Sequence, residues 1–197
     1  MPALINQSWF YQIVLYVVIA VCFVPDVIGG FLQKPEAGAR VRDRGSHFVF
    51  WVAIPVAIFF AFFIVDAVPG TAIAEGQQAM FWFGIALMLA GTAFRWYAIR
   101  MLGRFFTRTV KTRGGQYVVE RGPYRLIRHP AYSGSIATFI GLGLAMTNWA
   151  SLLLILAGVA VAYAYRVHIE EQALCADLGQ PYRDYMRRTR RFVPHVW

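Results

Sequence analysis

Five apolar runs separated by polar segments dominate the pattern of hydrophobic and polar positions along the chain. They cover about residues 9–31, 48–68, 80–101, 133–147 and 150–165. A helix needs about 20 predominantly apolar residues to cross a bilayer, and the first three runs reach that length. The last two are shorter and are separated by little more than Asn148 and Trp149, so they predict a helical hairpin. The pattern predicts an all-α polytopic membrane protein with about five transmembrane helices.

These runs predict one integral-membrane domain, residues 1–197. Three N-terminal transmembrane helices occupy residues 1–101, and residues 102–197 contain the hairpin and a polar tail. The fourth run carries small residues that suit close helix packing, within one chain or across a dimer, so the oligomeric state is left open. These residues are Ala137, Gly141 and Ala145.

Composition and charge support a membrane protein with one basic side. Hydrophobic residues make up 58% of the chain, the mean hydropathy is +0.50 and the formal net charge is +9. All Lys and Arg residues except Arg95 lie in residues 33–47, residues 100–132 or the tail from residue 166 onwards. With five spans these segments share one side, which the positive-inside rule assigns to the cytoplasm, with the N-terminus outside. The charge therefore indicates anionic membrane lipids as partners, and no nucleic acid.

The densest polar cluster, "ERGPYRLIRHPAYSG" at residues 120–134, directly precedes the fourth apolar run. Pro130 keeps His129 out of the helical region and suits the first turn of a helix. The positive end of that helix would then point at the interface near Arg125 and Arg128, where a carboxylate or phosphate is favoured. Anchoring of these arginines to lipid headgroups is an equal alternative.

Paired carboxylates follow the fifth run. Arg166 and Glu170 are four residues apart on what should be the inner end of the fifth helix, so they face the same side and can pair. Glu171 lies about 100° further round, and two adjacent carboxylates at a membrane helix need compensation by arginines or a ligand. A routine ion pair at a solvated helix end is the alternative. Asp26, next to Pro25, is expected to mark the frayed inner end of the first helix, and we assign it no catalytic role.

The tail carries its own helix signals. Pro181 suits the first position of a new helix, and Tyr182 and Tyr185 then share a face. No metal site is expected, because no second histidine lies at ligand spacing from His129 and the two cysteines are far apart. The sequence contains no GxGxxG, P-loop, GxSxG or HExxH pattern, so a cofactor would bind in a pocket formed by the cytoplasmic segments.

The ordered combination of "GPYRLIRHPAYSG", a short apolar hairpin, "RVHIEEQAL" and "LGQPYRDYMRRTRRFVP" resembles the isoprenylcysteine carboxyl methyltransferase family. That family belongs to a wider group that includes the phospholipid N-methyltransferases. The resemblance covers about residues 117–194. It implies an integral-membrane enzyme that uses S-adenosylmethionine (SAM) at the cytosolic side and receives a lipophilic substrate from the bilayer.

The resemblance also implies roles for individual residues. Arg128 and Glu170 are the expected catalytic residues. The expected cofactor-binding residues are Tyr124, Arg125, His129, Pro130, Tyr132, Glu171, Tyr182 and Tyr185. Pro181 departs from the polar or acidic residue that similar sequences carry there, which leaves the tail's cofactor contacts open. The functional tail arginine is one of Arg187, Arg188, Arg190 and Arg191.

Physical chemistry fits this expectation and leaves several acceptors open. Arginines and a helix N-terminus suit the SAM carboxylate, a glutamate suits its hydroxyls or amine, and tyrosine faces attract its sulfonium. A carboxylate acceptor needs no general base. An amine acceptor, such as a phosphatidylethanolamine headgroup, would need one, with Glu170 or His129 as candidates. A nicotinamide-dependent membrane reductase and a non-enzymatic lipid anchor are the remaining alternatives.

Overall fold

A computed structural model describes residues 2–32, 40–41, 45–106, 111–112 and 117–194. Six α-helices and a two-stranded antiparallel ribbon form this part of the chain. The helices are α1 Trp9–Leu32, α2 Ser46–Ala67, α3 Gln77–Leu102, α4 Pro130–Ala145, α5 Trp149–Leu178 and α6 Gln180–Arg188, and the ribbon pairs β1 Arg40–Val41 with β2 Lys111–Thr112. The all-α expectation is confirmed, with the ribbon as a small addition. Parts of the first two basic segments lie outside the described residues.

Four helices, α1, α2, α3 and α5, are long and apolar enough to cross a membrane. Helix α4 has 16 residues and is therefore about 24 Å long, short of the hydrocarbon thickness of about 30 Å. The predicted hairpin is confirmed: α4 and α5 are joined by residues 146–148, and the Asn148 side chain accepts a hydrogen bond from the Ser151 N–H at 3.0 Å. The five-span count and the orientation of the termini stay predictions.

Close backbone contact joins α3 and α4. A Cβ atom on Gly141 would lie 2.6 Å from the Gly84 carbonyl oxygen, and one on Gly134 would lie 2.7 Å from the Arg95 nitrogen. Small residues are used in this way wherever membrane helices approach closely. Gly141 and Ala145 are buried, so they serve packing within the chain, whereas Ala137 is half-buried. The contact holds Arg95 beside the first turns of α4.

We expect Gly141→Ala to destabilise the protein by about 1–3 kcal/mol, because the added methyl group meets backbone that cannot move aside. Thermal unfolding of the detergent-purified protein would measure the loss. Gly70→Ala is the matched control, since a Cβ there has no neighbour within 4 Å. Equal unfolding midpoints for the two variants would contradict the close-contact interpretation.

A cavity lies between α1 and α2. Helix α1 packs mainly on α3, and α2 packs mainly on α5. The space between them has a volume of about 560 Å³ and is lined chiefly by apolar side chains, including Ile19, Phe23, Ile54 and Ile58. Its size and lining match those of a pocket for a small lipophilic molecule.

Helix α5 continues well beyond the apolar run that ends at residue 165 and carries the paired glutamates on its last turns, as predicted for Arg166 and Glu170. Gly179, with a φ of 63°, then reverses the chain so that α6 folds back toward α5. A non-glycine residue would be strained at this φ. Helix α6 begins at Gln180, one residue before Pro181, so the predicted tail helix is confirmed.

Candidate functional site

The tail after α6 runs alongside the segment that leads into α4. The Arg128 N–H donates to the Arg190 carbonyl at 2.7 Å, and the His129 N–H donates to the Arg191 carbonyl at 3.0 Å. In the other direction, the Arg190 N–H donates to the Leu126 carbonyl at 3.2 Å. This backbone pairing fixes the tail against the Arg-His-Pro segment, with Pro130 as the first residue of α4 as predicted.

Glu171, on α5, contacts both the Arg-His-Pro segment and the tail. Its side chain is 6% exposed, and Oε1 accepts from Arg128 Nε at 2.9 Å and lies 3.3 Å from His129 Nε2. Its Oε2 accepts from Arg191 Nη2 at 2.8 Å. The hydrogen bond with Glu171 raises the pKa of the Arg191 guanidinium. This buried carboxylate has three cationic or potentially cationic neighbours. It therefore holds the tail and the Arg-His-Pro segment against α5.

Arg128 is committed to the same interior contacts. Besides Glu171, its Nη1 donates to the carbonyls of Met186, at 3.0 Å, and Thr189. Of the candidate tail arginines, Arg191 is the one whose side chain bonds to Glu171. Arg187 contacts Asp184, and Arg188 contacts Glu120, both at exposed positions.

Tyr132 links Glu170 to Arg166. Its hydroxyl donates to Glu170 Oε2 at 2.6 Å and accepts from Arg166 Nε at 2.8 Å. The Tyr132 hydroxyl therefore connects the Arg166 and Glu170 side chains, which the sequence predicted to lie on the same side of the helix. The Tyr132 ring stacks on the His129 ring at 5.4 Å with an interplanar angle of 7°. Glu170 is 29% exposed, so its carboxylate remains more accessible than that of Glu171.

The tail tyrosines are buried behind this cluster. The Tyr185 hydroxyl donates to the Tyr124 carbonyl at 2.7 Å, so α6 holds the turn before the Arg-His-Pro segment. Burial raises the pKa of Tyr185. Burial also raises the pKa of Tyr182, with a smaller contribution from the negative charge of Glu170. Both phenols therefore stay protonated at physiological pH.

The 560 Å³ cavity is polar at the end that lies beside the first turn of α4. Its charged lining residues are Asp26, Arg95 and Arg166, and Tyr132 also lines it. Arg95 Nε donates to Asp26 Oδ2 at 3.0 Å. Helix α1 extends past Asp26 to Leu32, so the expectation that Asp26 marks a frayed helix end is wrong. Tyr132 is thus shared between the cavity and the Glu170 side of the site.

The structure brings together most of the residues singled out in the sequence. Those in direct contact with one another are Arg128, His129, Tyr132, Glu170 and Glu171. Tyr124, Tyr182 and Tyr185 lie behind them, whereas Arg125 is exposed and donates to the Glu120 carbonyl. The sequence predicted Arg166 as a partner of Glu170, but placed neither Arg95 nor Arg166 among the catalytic or cofactor-binding residues. Arg95 could have been recognised from the sequence, because it is an isolated charge within the third apolar run.

These features define a helical membrane protein with a polar cluster at one end of an apolar cavity. The chain belongs to the phospholipid methyltransferase family, whose model matches residues 79–180. The match covers the glycine-packed α3–α4 pair, the Arg-His-Pro segment and both glutamates.

Curated relatives carry more specific names. The chain is 32% identical over 116 residues to protein-S-isoprenylcysteine O-methyltransferase B of Arabidopsis thaliana, an alignment that covers 58% of this chain and 59% of the relative. It is 27% identical over 115 residues to protein-S-isoprenylcysteine O-methyltransferase of Saccharomyces cerevisiae, covering 57% and 48%. The chain thus spans about half to three fifths of the length of these relatives.

A solved structure shares the fold. The eukaryotic intramembrane Ras methyltransferase ICMT (isoprenylcysteine carboxyl methyltransferase) superposes with a TM-score of 0.58 at 21% identity. The match covers 96% of this chain and 64% of the solved one. The predicted polytopic helical fold is therefore confirmed well beyond the motif region.

Proposed function

We propose that this protein transfers a methyl group from SAM to the carboxylate of a lipophilic acceptor of the S-isoprenylcysteine type. The observation that carries the proposal is the position of Tyr132. On one side it lines an apolar cavity, and on the other its hydroxyl bonds to the accessible carboxylate of Glu170. Two ligands bound on either side would meet at this residue. The names of the relatives favour this acceptor class.

The residues around Glu170 fit SAM. A partly exposed carboxylate can accept hydrogen bonds from the amine or the ribose hydroxyls of the cofactor. The Tyr132 ring, which stacks on His129 and bonds to Glu170, is an aromatic group of the kind that attracts a sulfonium cation. In this proposal Arg128 and Glu171 do not contact the cofactor themselves. Their contacts hold in place the tail that encloses the cofactor site. Arg128 is thus a positioning residue in this proposal.

The cavity fits a lipophilic acceptor. Val27, Trp51 and Phe59 line it and are also exposed on the outer surface of the helices. An apolar chain can therefore enter from the bilayer between α1 and α2, while its polar head reaches Tyr132 and Arg166. Acceptor and cofactor then approach from different directions, which is the alignment that a displacement requires.

Bound SAM would supply an electrophilic methyl group, and transfer to a carboxylate forms an O–CH3 bond while the electron pair of the broken C–S bond stays on sulfur. No proton moves, so the site needs no general base. The protein's contribution is alignment and exclusion of water. The low-polarity cavity reduces hydration of the attacking carboxylate.

We expect the full-length protein in detergent to bind S-adenosylhomocysteine and Glu170→Ala to lower that affinity at least tenfold, because the variant lacks the accessible acceptor group. Isothermal titration calorimetry measures both. Glu75→Ala, which changes an exposed acidic residue in the loop between α2 and α3, is the matched control and should bind like wild type. Absence of binding in folded wild-type protein would refute the proposed function.

An amine acceptor is the second candidate, favoured by the description of the family model. Methyl transfer assays with a farnesylated cysteine and with phosphatidylethanolamine vesicles separate the two. Product from the farnesylated cysteine alone supports the carboxylate acceptor, and product from the vesicles alone overturns it. The comparisons do not favour the reductase or the non-enzymatic anchor.

A further inference from the structure

An ion pair lies within the membrane-spanning helices, at the polar end of the cavity. Arg95 lies about two turns before the end of α3, and Asp26 lies on α1. Their contact is 3.0 Å, and the two side chains are 14% and 26% exposed. Both line the cavity, so what exposure they have includes the surface that an acceptor would occupy.

Arg95 is held in one orientation by α4. Its Nη1 donates to Ser135 Oγ at 3.0 Å and to the Ala131 carbonyl at 3.3 Å. The glycine contact between α3 and α4 keeps these partners in place. The guanidinium is therefore pre-organised, which lowers the cost of binding an anion.

An ion pair within a membrane helix bundle is a poor device for stability. Desolvation of both charges offsets most of their attraction, and apolar residues of similar volume often stabilise as well or better. Ionisable groups at this depth are by default associated with function. Asp26, on the less extensively packed helix α1, is the ion-pair partner of Arg95.

Charge in the cavity favours an anionic head. The charged lining residues are two arginines and one aspartate, so an entering carboxylate meets two guanidinium groups, while Glu170 lies outside the lining, beyond the Tyr132 hydroxyl. An ammonium head would instead face two guanidinium groups. The apolar walls above accept the hydrocarbon chain in either case, so the head alone decides selectivity.

We propose that Arg95 recognises the anionic head of the acceptor, with Asp26 as the carboxylate that competes with the acceptor for Arg95. This inference rests on the proposed function for the identity of the reaction and deepens it by naming the residue that selects the acceptor. Arg95 acts on the acceptor, whereas Glu170 acts on the cofactor, so the two sites can be tested separately.

The first test measures acceptor binding to cofactor-free, full-length protein by microscale thermophoresis. The probes are N-acetyl-S-farnesylcysteine and its carboxamide, which differ in the charge of the head. Wild type should bind the acid at least tenfold more tightly than the amide. In Arg95→Gln this ratio should fall toward one, and retention of the ratio would overturn the proposal.

Two further variants separate recognition from a structural ion pair. Asp26→Asn should bind the acid as tightly as wild type or more tightly, because a competing carboxylate is removed. Exchange of the pair, Asp26→Arg with Arg95→Asp, should not restore acid binding. A purely structural pair predicts the opposite results, namely loss in the first and recovery in the second. If Arg95→Gln does not fold, Arg95→Lys replaces it and should lower the acid-to-amide ratio at least threefold.

Failure of the proposed function gives a different pattern. If wild type binds no S-adenosylhomocysteine but discriminates acid from amide through Arg95, recognition stands and methyl transfer fails. If Arg95→Gln binds S-adenosylhomocysteine normally and raises the acceptor KM at least tenfold, both stand. A normal acceptor KM in Arg95→Gln would overturn the recognition role alone.

Discussion

Replacement of Glu171 by alanine is expected to release the tail and abolish S-adenosylhomocysteine binding. The side chain is almost completely buried between Arg128, His129 and Arg191. Its removal leaves the Arg128 guanidinium buried without its carboxylate, and breaking such a pair costs about 3–5 kcal/mol. That loss is a large fraction of the stability of an ordinary domain. The tail is the element most directly affected, because Arg191 belongs to it.

Limited trypsin digestion provides the measurement. The tail contains several arginines, and those that pair with the Arg-His-Pro segment are protected while the tail is bound. We expect cleavage in the tail of Glu171→Ala under conditions that leave wild type and Glu75→Ala intact. Glu171→Gln keeps an acceptor for part of the contacts and should lie between them.

The same experiment separates two roles for Glu171. The resemblance to methyltransferases implied a cofactor-binding residue, whereas the contacts indicate a structural residue that holds the tail in place. A direct cofactor ligand predicts loss of S-adenosylhomocysteine binding with the tail still protected from trypsin. Loss of binding together with tail cleavage supports the structural role, in which Glu171 holds the tail in place. A protected tail with normal binding would contradict both roles.

Hydropathy was sufficient to predict the helices, but it does not show how far the fifth helix continues beyond its apolar run. The fifth run loses its apolar character after residue 165, yet α5 continues to Leu178. The helix can continue because the charged side chains that follow have partners in other segments: Arg166 contacts Tyr132, and Glu171 contacts Arg128. Such contacts depend on residues more than 30 positions away, which a local pattern does not contain.

The site was predictable where the chain order of motifs carried it. The Arg-His-Pro segment and the paired glutamates do meet, and the tail does return to them. The sequence did not show that Glu171 is buried in contacts within the protein while Glu170 stays accessible. Adjacent residues on a helix differ in the direction that each faces, and the sequence does not show what lies in each direction. The Asp26–Arg95 pair was missed for a related reason. It depends on which faces of α1 and α3 meet, and both helices are apolar on nearly every face.

Replacement of Tyr132 by phenylalanine is expected to lower kcat/KM for the farnesylated acceptor about 100-fold or more. The variant keeps the ring that stacks on His129 and packs 5.0 Å from the Tyr163 ring, so the shape of the cavity is preserved. It loses a hydroxyl that bonds to both Glu170 and Arg166. Hydrogen bonds to charged groups contribute about 1.5–3 kcal/mol each, and a loss of about 3 kcal/mol in the transition state corresponds to roughly 100-fold in rate.

The control is Tyr117→Phe, which removes a hydroxyl from a largely exposed ring away from the cavity lining and should leave kcat/KM within about twofold. Separate measurements of acceptor KM and S-adenosylhomocysteine affinity then locate the effect. If the hydroxyl acted only through Glu170, cofactor affinity alone would fall; if it acted only through Arg166, the acceptor KM alone would rise. Because one oxygen bonds to both groups, we expect both quantities to worsen, and a Tyr132→Phe variant with wild-type kcat/KM would show that the two sites do not meet at this residue.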